Sequence, residues 1–222
     1  MKIKSWFRGL STLALSLIIS LTLFSLPAHA FVTPDYQKLM ETNTCNFCDL
    51  SGANLSGKDL YGSALNDANL SGANLSGALL NDAKLNRANL TGANLSGAIL
   101  MGITLSNADL TGADLSQADL SNALMSNANL LNAKLSSANL TDAIITDANL
   151  SKASAENAKL RGSRLNRSNL STANFSNSLM RNTRLVDAKL DGAIFSGADL
   201  FNSVMPDGTT YNGNIIRFGA KQ

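Results

Sequence analysis

From Asn43 onward, apolar and polar positions recur in a five-residue cycle that no insertion breaks. Every fifth residue from Leu50 to Met205 is apolar. Of these 32 positions 25 are Leu, and the others are Met125, Ile145, Ala155, Phe175, Met180, Phe195 and Met205. Two residues before each centre lies a second inner set of 32, from Cys48 to Ser203, in which 23 are Ala. A polar residue, usually Asn or Asp, stands between the two. Ser or Thr and then Gly, Asn or Asp follow each centre, so that Ala53-Asn54-Leu55-Ser56-Gly57 is the unit.

Neither ordinary period accommodates this pattern. On an α-helix five residues advance about 500°, so the Leu positions would drift around every side. On a flat strand an odd spacing sends successive Leu side chains to opposite faces. The conflict disappears if the chain turns a corner in every unit and four units close a square coil. Leu and Ala then fill a narrow interior, and Ser, Gly, Asn and Asp serve the turns and the outside. One coil cannot bury its face alone, so coils must stack.

The runs Ala53-Asn-Leu-Ser-Gly, Ala73-Asn-Leu-Ser-Gly, Ala93-Asn-Leu-Ser-Gly and Ala113-Asp-Leu-Ser-Gln resemble the pentapeptide-repeat family over about three quarters of the chain. The resemblance implies an all-β fold, a right-handed quadrilateral β-helix with four repeats per coil. At that count the repeats make about eight coils, a rod roughly 38 Å long at the inter-strand spacing.

With four repeats per coil, residues 20 apart stack. One inner ladder, Leu50 to Leu190, is Leu throughout. The next is Leu55, Leu75, Leu95, Leu115, Leu135, Ala155, Phe175 and Phe195, and Phe175 is expected to fill the space that Ala155 leaves. Lys58 and Ile103 stand where Ala is the rule. A buried lysine is expensive, so Lys58, in the first coil, should snorkel past the open end; Ile103 should swell its coil slightly. Thr33-Pro34 reads as an N-cap and first helical residue. A helix over residues 34–42 carrying Tyr36, Leu39 and Met40 should cover the N-terminal end. Met205-Pro206-Asp207-Gly208 breaks the cycle, after which Tyr211, Ile215, Ile216 and Phe218 should fold over the last coil. The expected organisation is a leader over 1–30, a capping helix within 31–42, the β-helix over 43–207, and a cap or tail over 208–222.

The leader changes the charge argument. Lys2, Lys4 and Arg8 precede an apolar run, Leu13 to Leu26, and Pro27-Ala28-His29-Ala30 offers a small-x-small cleavage site. This is the layout of a secretory signal peptide; an uncleaved anchor is the alternative, but the run is short of the roughly 20 residues that a span needs. Removing residues 1–30 takes the formal net charge from +2 to −1 and removes the only histidine. A generally basic, nucleic-acid-seeking protein is therefore not expected.

Cys45 and Cys48 form C-x-x-C on two inward positions. In an exported protein a disulfide stapling the first corner is the leading reading. A redox pair would need a helix N-terminus in a βαβ setting, and zinc would need more ligands than two thiols. Asp109, Asp114 and Asp119, five apart, fall on different sides of the square and diverge. On the outward ladder Asp49, Asn69, Asn89, Asp109, Asn129, Asn149, Asn169 and Lys189, stacked amides are expected. With no histidine, no paired carboxylates and no phosphate loop, the chain shows no catalytic, cofactor or metal constellation.

Charge is instead graded along the rod. Asp49 to Asp147 carries nine acidic and four basic residues; Lys152 to Lys189 carries eight basic and two acidic, Glu156 and Asp187. Arg161 should stack with Arg181 and Arg164 with Arg184, flanked by Lys159 and Arg167. Leu79, Ile99, Leu124, Ile144 and Leu179 take outward positions on the same two sides. This side is the candidate partner surface, for an acidic protein or an anionic lipid surface; the bland reading is a solvated face. The leader, the C-x-x-C and the Asn-Leu-Ser units resemble exported pentapeptide-repeat proteins of cyanobacterial type, which implies the periplasm or the thylakoid lumen and a non-enzymatic binding or structural role. The family's DNA-mimic activity towards DNA gyrase is the alternative, opposed by the leader and the weak net charge. A redox role for Cys45 and Cys48 is the third.

Overall fold

A computed structural model describes residues 33–221 of the 222-residue chain; the leader expected over residues 1–30 lies outside them. Pro34 to Gln222 forms one compact unit. Within it one α-helix, α1 (Pro34–Thr42), precedes the repeats, and a single 3₁₀ turn (Ile216–Phe218) follows them. Among the described residues no helix is long and apolar enough to cross a membrane.

The repeats close every 20 residues. Thr44 pairs in parallel with Ala64, Asp49 with Asn69, Asn54 with Asn74 and Asp59 with Leu79, and the same offset continues to Arg184 with Val204. Each side of a coil contributes one bridge residue rather than an extended strand, because a corner consumes the rest of every unit. The centre and the small residue two before it are buried almost without exception from Leu60 to Met205.

Backbone accounting explains the consensus. In the unit around Asn54, Leu55 N–H donates to Asn74 O at 2.7 Å and Gly57 N–H to Ser76 O at 2.9 Å in the next coil. Ala53 N–H closes the turn on Leu50 O at 3.1 Å. The bridge N–H runs to the preceding coil, as Asn74 N–H to Ala53 O at 2.9 Å, and the last donor, the N–H just after the centre, goes to the bridge residue's own side chain: Ser56 N–H to Asn54 Oδ1 at 3.2 Å, Ser51 N–H to Asp49 Oδ1 at 3.1 Å. Asn and Asp therefore recur at the bridge because their Oδ1 satisfies a turn donor that nothing else in the unit reaches. Every fifth residue from Phe47 to Asn202 has φ between +56° and +71°. That single left-handed residue is the signature of a type II turn, and it is why the position favours Gly, Asn and Asp.

At the N-terminal end Leu39 is buried and Tyr36 packs on the core, whereas Met40, also named for this cap, faces outward. Asn43 at φ 53° ends α1, with its N–H on Leu39 O at 2.9 Å. Asp35 Oδ2 accepts Asp49 N–H at 2.8 Å and ties α1 to the first coil. The opposite flank of that coil stays open: Ala53 is half-buried and Lys58 exposed, so the lysine keeps its charge in water. Ile103 is fully buried, and the bonds around it, 3.2 Å to Leu100 O and 2.9 Å from Leu124 N–H, match those of Ala neighbours. At the C-terminal end Ile215 is buried and Tyr211 and Phe218 pack on the core. Ile216 is exposed and Ala220 takes an inner place in its stead.

Candidate functional site

The 20-residue coil fixes where each cation of the candidate surface lies. Arg164 bridges Ile144 on one flank and Arg184 on the other, and Lys159 bridges Asn139 and Leu179. Arg161 and Arg181 occupy the corner between these two ladders, with Gly162 N–H donating to Arg181 O at 3.0 Å. Lys159, Arg161, Arg164, Arg167, Arg181 and Arg184 are all exposed.

The six are not equivalent. Arg167 gives Nε and Nη2 to Asp147 at 2.7 and 2.6 Å, and this fork holds the Asp147 carboxyl below its ordinary range. Arg181 gives its Nε to Asp199 and lies over the Phe201 ring, 5.8 Å from its centroid. Asp147 and Asp199 lie just outside the run Lys152 to Lys189, so a count over that run overstates the local charge. Among the described residues no carboxylate comes within ion-pairing distance of Lys159, Arg161, Arg164 or Arg184. These four are the free cations.

The apolar members follow the same two ladders. Leu79 pairs with Ile99, and Leu124 with Ile144. Leu79, Ile99, Leu124 and Leu179 are exposed and Ile144 is half-buried between Leu124 and Arg164. Leu179 floors a cleft of about 320 Å³ lined by Thr141, Lys159, Arg161, Arg181 and Asp199.

Elsewhere the chemistry is structural. Cys45 and Cys48 are joined, with Cα atoms 5.3 Å apart, beneath α1. Asp35 lies close enough to both to suggest a metal set, but the sulfurs are bonded to each other and the carboxylate is engaged by the Asp49 N–H. Asp109, Asp114 and Asp119 sit on three separate ladders. The amide ladder forms in part: Asn69 donates to Asp49, Asn89 to Asn69, Asn149 to Asn129 and Asn169 to Asn149, at 3.0–3.4 Å. Glu156 accepts from Ser154, Ser136 and Asn174, and these donors, Ser154 foremost, hold its carboxyl below the ordinary 4.5.

Reading Ala as the inner rule passed over a column of buried hydroxyls beneath the basic side. Ser163 Oγ and Thr183 Oγ1 both donate to Leu160 O, at 2.8 and 2.9 Å, and Ser203 Oγ donates to Met180 O. The signal was present, since the departures from Ala gather at Ser163, Ser168, Ser178, Thr183 and Ser203. They supply turn carbonyls with a second donor and carry no reactive partner.

Eight copies of the Pentapeptide repeats family model match the chain, over residues 45–82, 68–107, 103–142, 128–167, 143–182 and 168–205. No curated protein sequence matches it. Among solved structures the chain is similar to trypsin-treated QnrB1, a plasmid-mediated fluoroquinolone resistance protein. Identity is 26% over 70% of this chain and 79% of that one, with a TM-score of 0.51. It is also similar to HetL, a pentapeptide repeat protein involved in heterocyst differentiation regulation from the cyanobacterium Nostoc sp. strain PCC 7120. There identity is 28%, coverage 76% and 89%, and TM-score 0.40. A pentapeptide repeat protein from the Arabidopsis thaliana thylakoid lumen is 32% identical over 60% of this chain and 72% of its own, with a TM-score of 0.17. With the repeat model matched almost from end to end of the coils, the chain belongs to the pentapeptide-repeat family.

Proposed function

We propose that this protein is an exported, non-enzymatic recognition module: a right-handed quadrilateral β-helix whose basic side docks an acidic protein partner. One observation carries the reading. Arg164 lies in register with Arg184 on adjacent coils, with no carboxylate to separate their charges. Like charges in register destabilise a ladder. The same fold places Asp67 under Arg87 and Asp147 under Arg167, so compensation was open to it. Cations left uncompensated side by side suit a ligand that brings the opposite charge. Leu124 and Ile144 continue the Arg164–Arg184 ladder and add apolar contact.

Export rests on the leader, which predicts cleavage after Ala30 and a periplasmic or lumenal compartment; mass spectrometry of native protein would then begin at Phe31. An oxidising compartment suits the Cys45–Cys48 disulfide, which peptide mapping without reductant would recover as one linked peptide. The functional test is affinity capture with the mature protein from the exported fraction at low and at high salt. Specific acidic partners lost at high salt support the reading, because exposed charges are screened. Retention on anionic vesicles without protein capture would assign the side to lipid instead, and capture at neither salt would remove the reading.

A second reading, DNA-mimic engagement of DNA gyrase, is favoured by the similarity to QnrB1, a fluoroquinolone resistance protein. The bridge ladders oppose it: in the ladder Asp59, Leu79, Ile99, Asp119, Asn139 and Lys159 the acidic residues are interrupted and give way to a cation. Inhibition of gyrase supercoiling by the mature protein at stoichiometric concentration would reverse this preference.

A further inference from the structure

Where the bridge residue is Asn or Asp, the repeat builds an acceptor into the unit, its Oδ1. Along the corner that holds Arg161 and Arg181 this acceptor is present at Asp59, Asp119, Asn139 and Asp199 and missing at Leu79, Ile99, Lys159 and Leu179, of which the last two are set among cations. Tyr61 N–H donates to Asp59 at 3.1 Å, Ser121 N–H to Asp119 at 3.0 Å, Thr141 N–H to Asn139 at 3.2 Å and Phe201 N–H to Asp199 at 3.1 Å. At two neighbouring levels the bridge residue is Lys159 and then Leu179, and neither side chain can accept. Among the described residues, the backbone N–H groups of Arg161 and Arg181 have no acceptor.

These two levels line the 320 Å³ cleft. Lys159 and Arg161 stand at its edge unpaired, and Arg181 is engaged differently from its counterparts. Arg87 and Arg167 give both Nε and Nη2 to their carboxylates. Arg181 gives Asp199 its Nε alone and, held over Phe201, keeps both Nη groups for another acceptor. Three cations against one carboxylate leave the cleft with two positive charges in excess, above the apolar floor of Leu179.

We infer that this cleft is a binding site for a compact dianion attached to an apolar group, a phosphate monoester being the chemical class. Two phosphate oxygens take the places of the missing bridge oxygens at the Arg161 and Arg181 N–H groups. Lys159 and the two guanidiniums neutralise the charge, and the ester's apolar part lies on Leu179. Backbone N–H pairs with flanking arginines are an ordinary phosphate cradle, and the volume is at the lower end of small-ligand sites. The inference rests on the basic side being a recognition surface, and it names the anion that the corner between the two ladders selects.

The test is calorimetric titration of purified mature protein with phenyl phosphate, inorganic phosphate and benzoate, and co-sedimentation with phosphatidic acid vesicles. Phenyl phosphate should saturate one site and bind more tightly than either fragment. Vesicle binding at matched phosphate would identify a lipid headgroup as the source, and its absence a soluble monoester. Lys159→Ala and Arg161→Ala should each weaken phenyl phosphate about tenfold or more. Leu179→Asn restores the repeat's own acceptor for the Arg181 N–H; it should abolish binding while the melting temperature holds or rises. Arg167→Ala, which removes a cation already tied to Asp147, should leave the affinity unchanged. No saturable binding, equal losses in the Arg167 and Arg161 variants, or full affinity in Leu179→Asn would each overturn the site. Titration needs no protein partner, so a failed titration with partner capture intact removes the cleft alone.

Discussion

A left-handed residue in every unit gives the corners a sequence constraint of their own. Thr172 holds φ 58° with a β-branched side chain, where an L residue costs on the order of 1–2 kcal/mol. Thr172→Gly should therefore raise thermal stability by about 1 kcal/mol. Glycines differ among themselves. An added Cβ meets nothing at Gly92, but at Gly102 it would lie 2.5 Å from Asp82 Oδ1. Thermal melts should rank Gly102→Ala clearly below Gly92→Ala; equal melting points would mean that the corner tolerates a displaced Asp82. Acidity is read out by Glu156. Its carboxyl lies below the ordinary 4.5 in the fold, chiefly through the Ser154 hydroxyl. Its contribution is then fully present above about pH 4.5 and is lost as pH falls through the depressed folded value. Glu156→Gln should flatten the acid limb of a melting-temperature profile below pH 4.5; a profile parallel to that of the parent protein would show that the Ser136, Ser154 and Asn174 bonds are neutral in their balance.

The ladder is the element of this fold, and it was legible from the five-residue spacing, which demands a corner in every unit, together with the resemblance to the pentapeptide-repeat family, which implies four repeats per coil. The 20-residue offset and the turn positions followed from them. What spacing could not carry was direction within an end: Met40 and Ile216 face out because each cap covers only part of a coil. Ladder chemistry at Ala155 joins both kinds of information. Ala155 and Phe175 are both fully buried in one ladder, and the Phe175 ring stacks on Phe195 with centroids 5.4 Å apart. If the aromatic ring fills the room above the alanine, Ala155→Leu overpacks the ladder and should cost about 1–3 kcal/mol. A higher melting temperature in that variant would show an unfilled void there instead.

At the scale of the whole molecule, the rod sorts charge along its axis and leaves the compensation incomplete on one side. The sequence placed Arg161 with Arg181 and Arg164 with Arg184. It did not reveal which cations were free, because Asp147 and Asp199 reach their partners from one coil away. A long-range pairing of that kind is visible only once the 20-residue stack is built. The structure thus separates four cations without a carboxylate partner from two paired ones, Arg167 through both Nε and Nη2 and Arg181 through Nε alone, and the function proposed depends on that separation. The direct test is the double variant Arg161→Glu with Arg184→Glu, which sets an opposite charge beside Arg181 and beside Arg164. The account predicts a melting temperature equal to or above that of the parent protein, together with loss of the acidic partners captured at low salt. A folded double variant that still captures the same partners would contradict it.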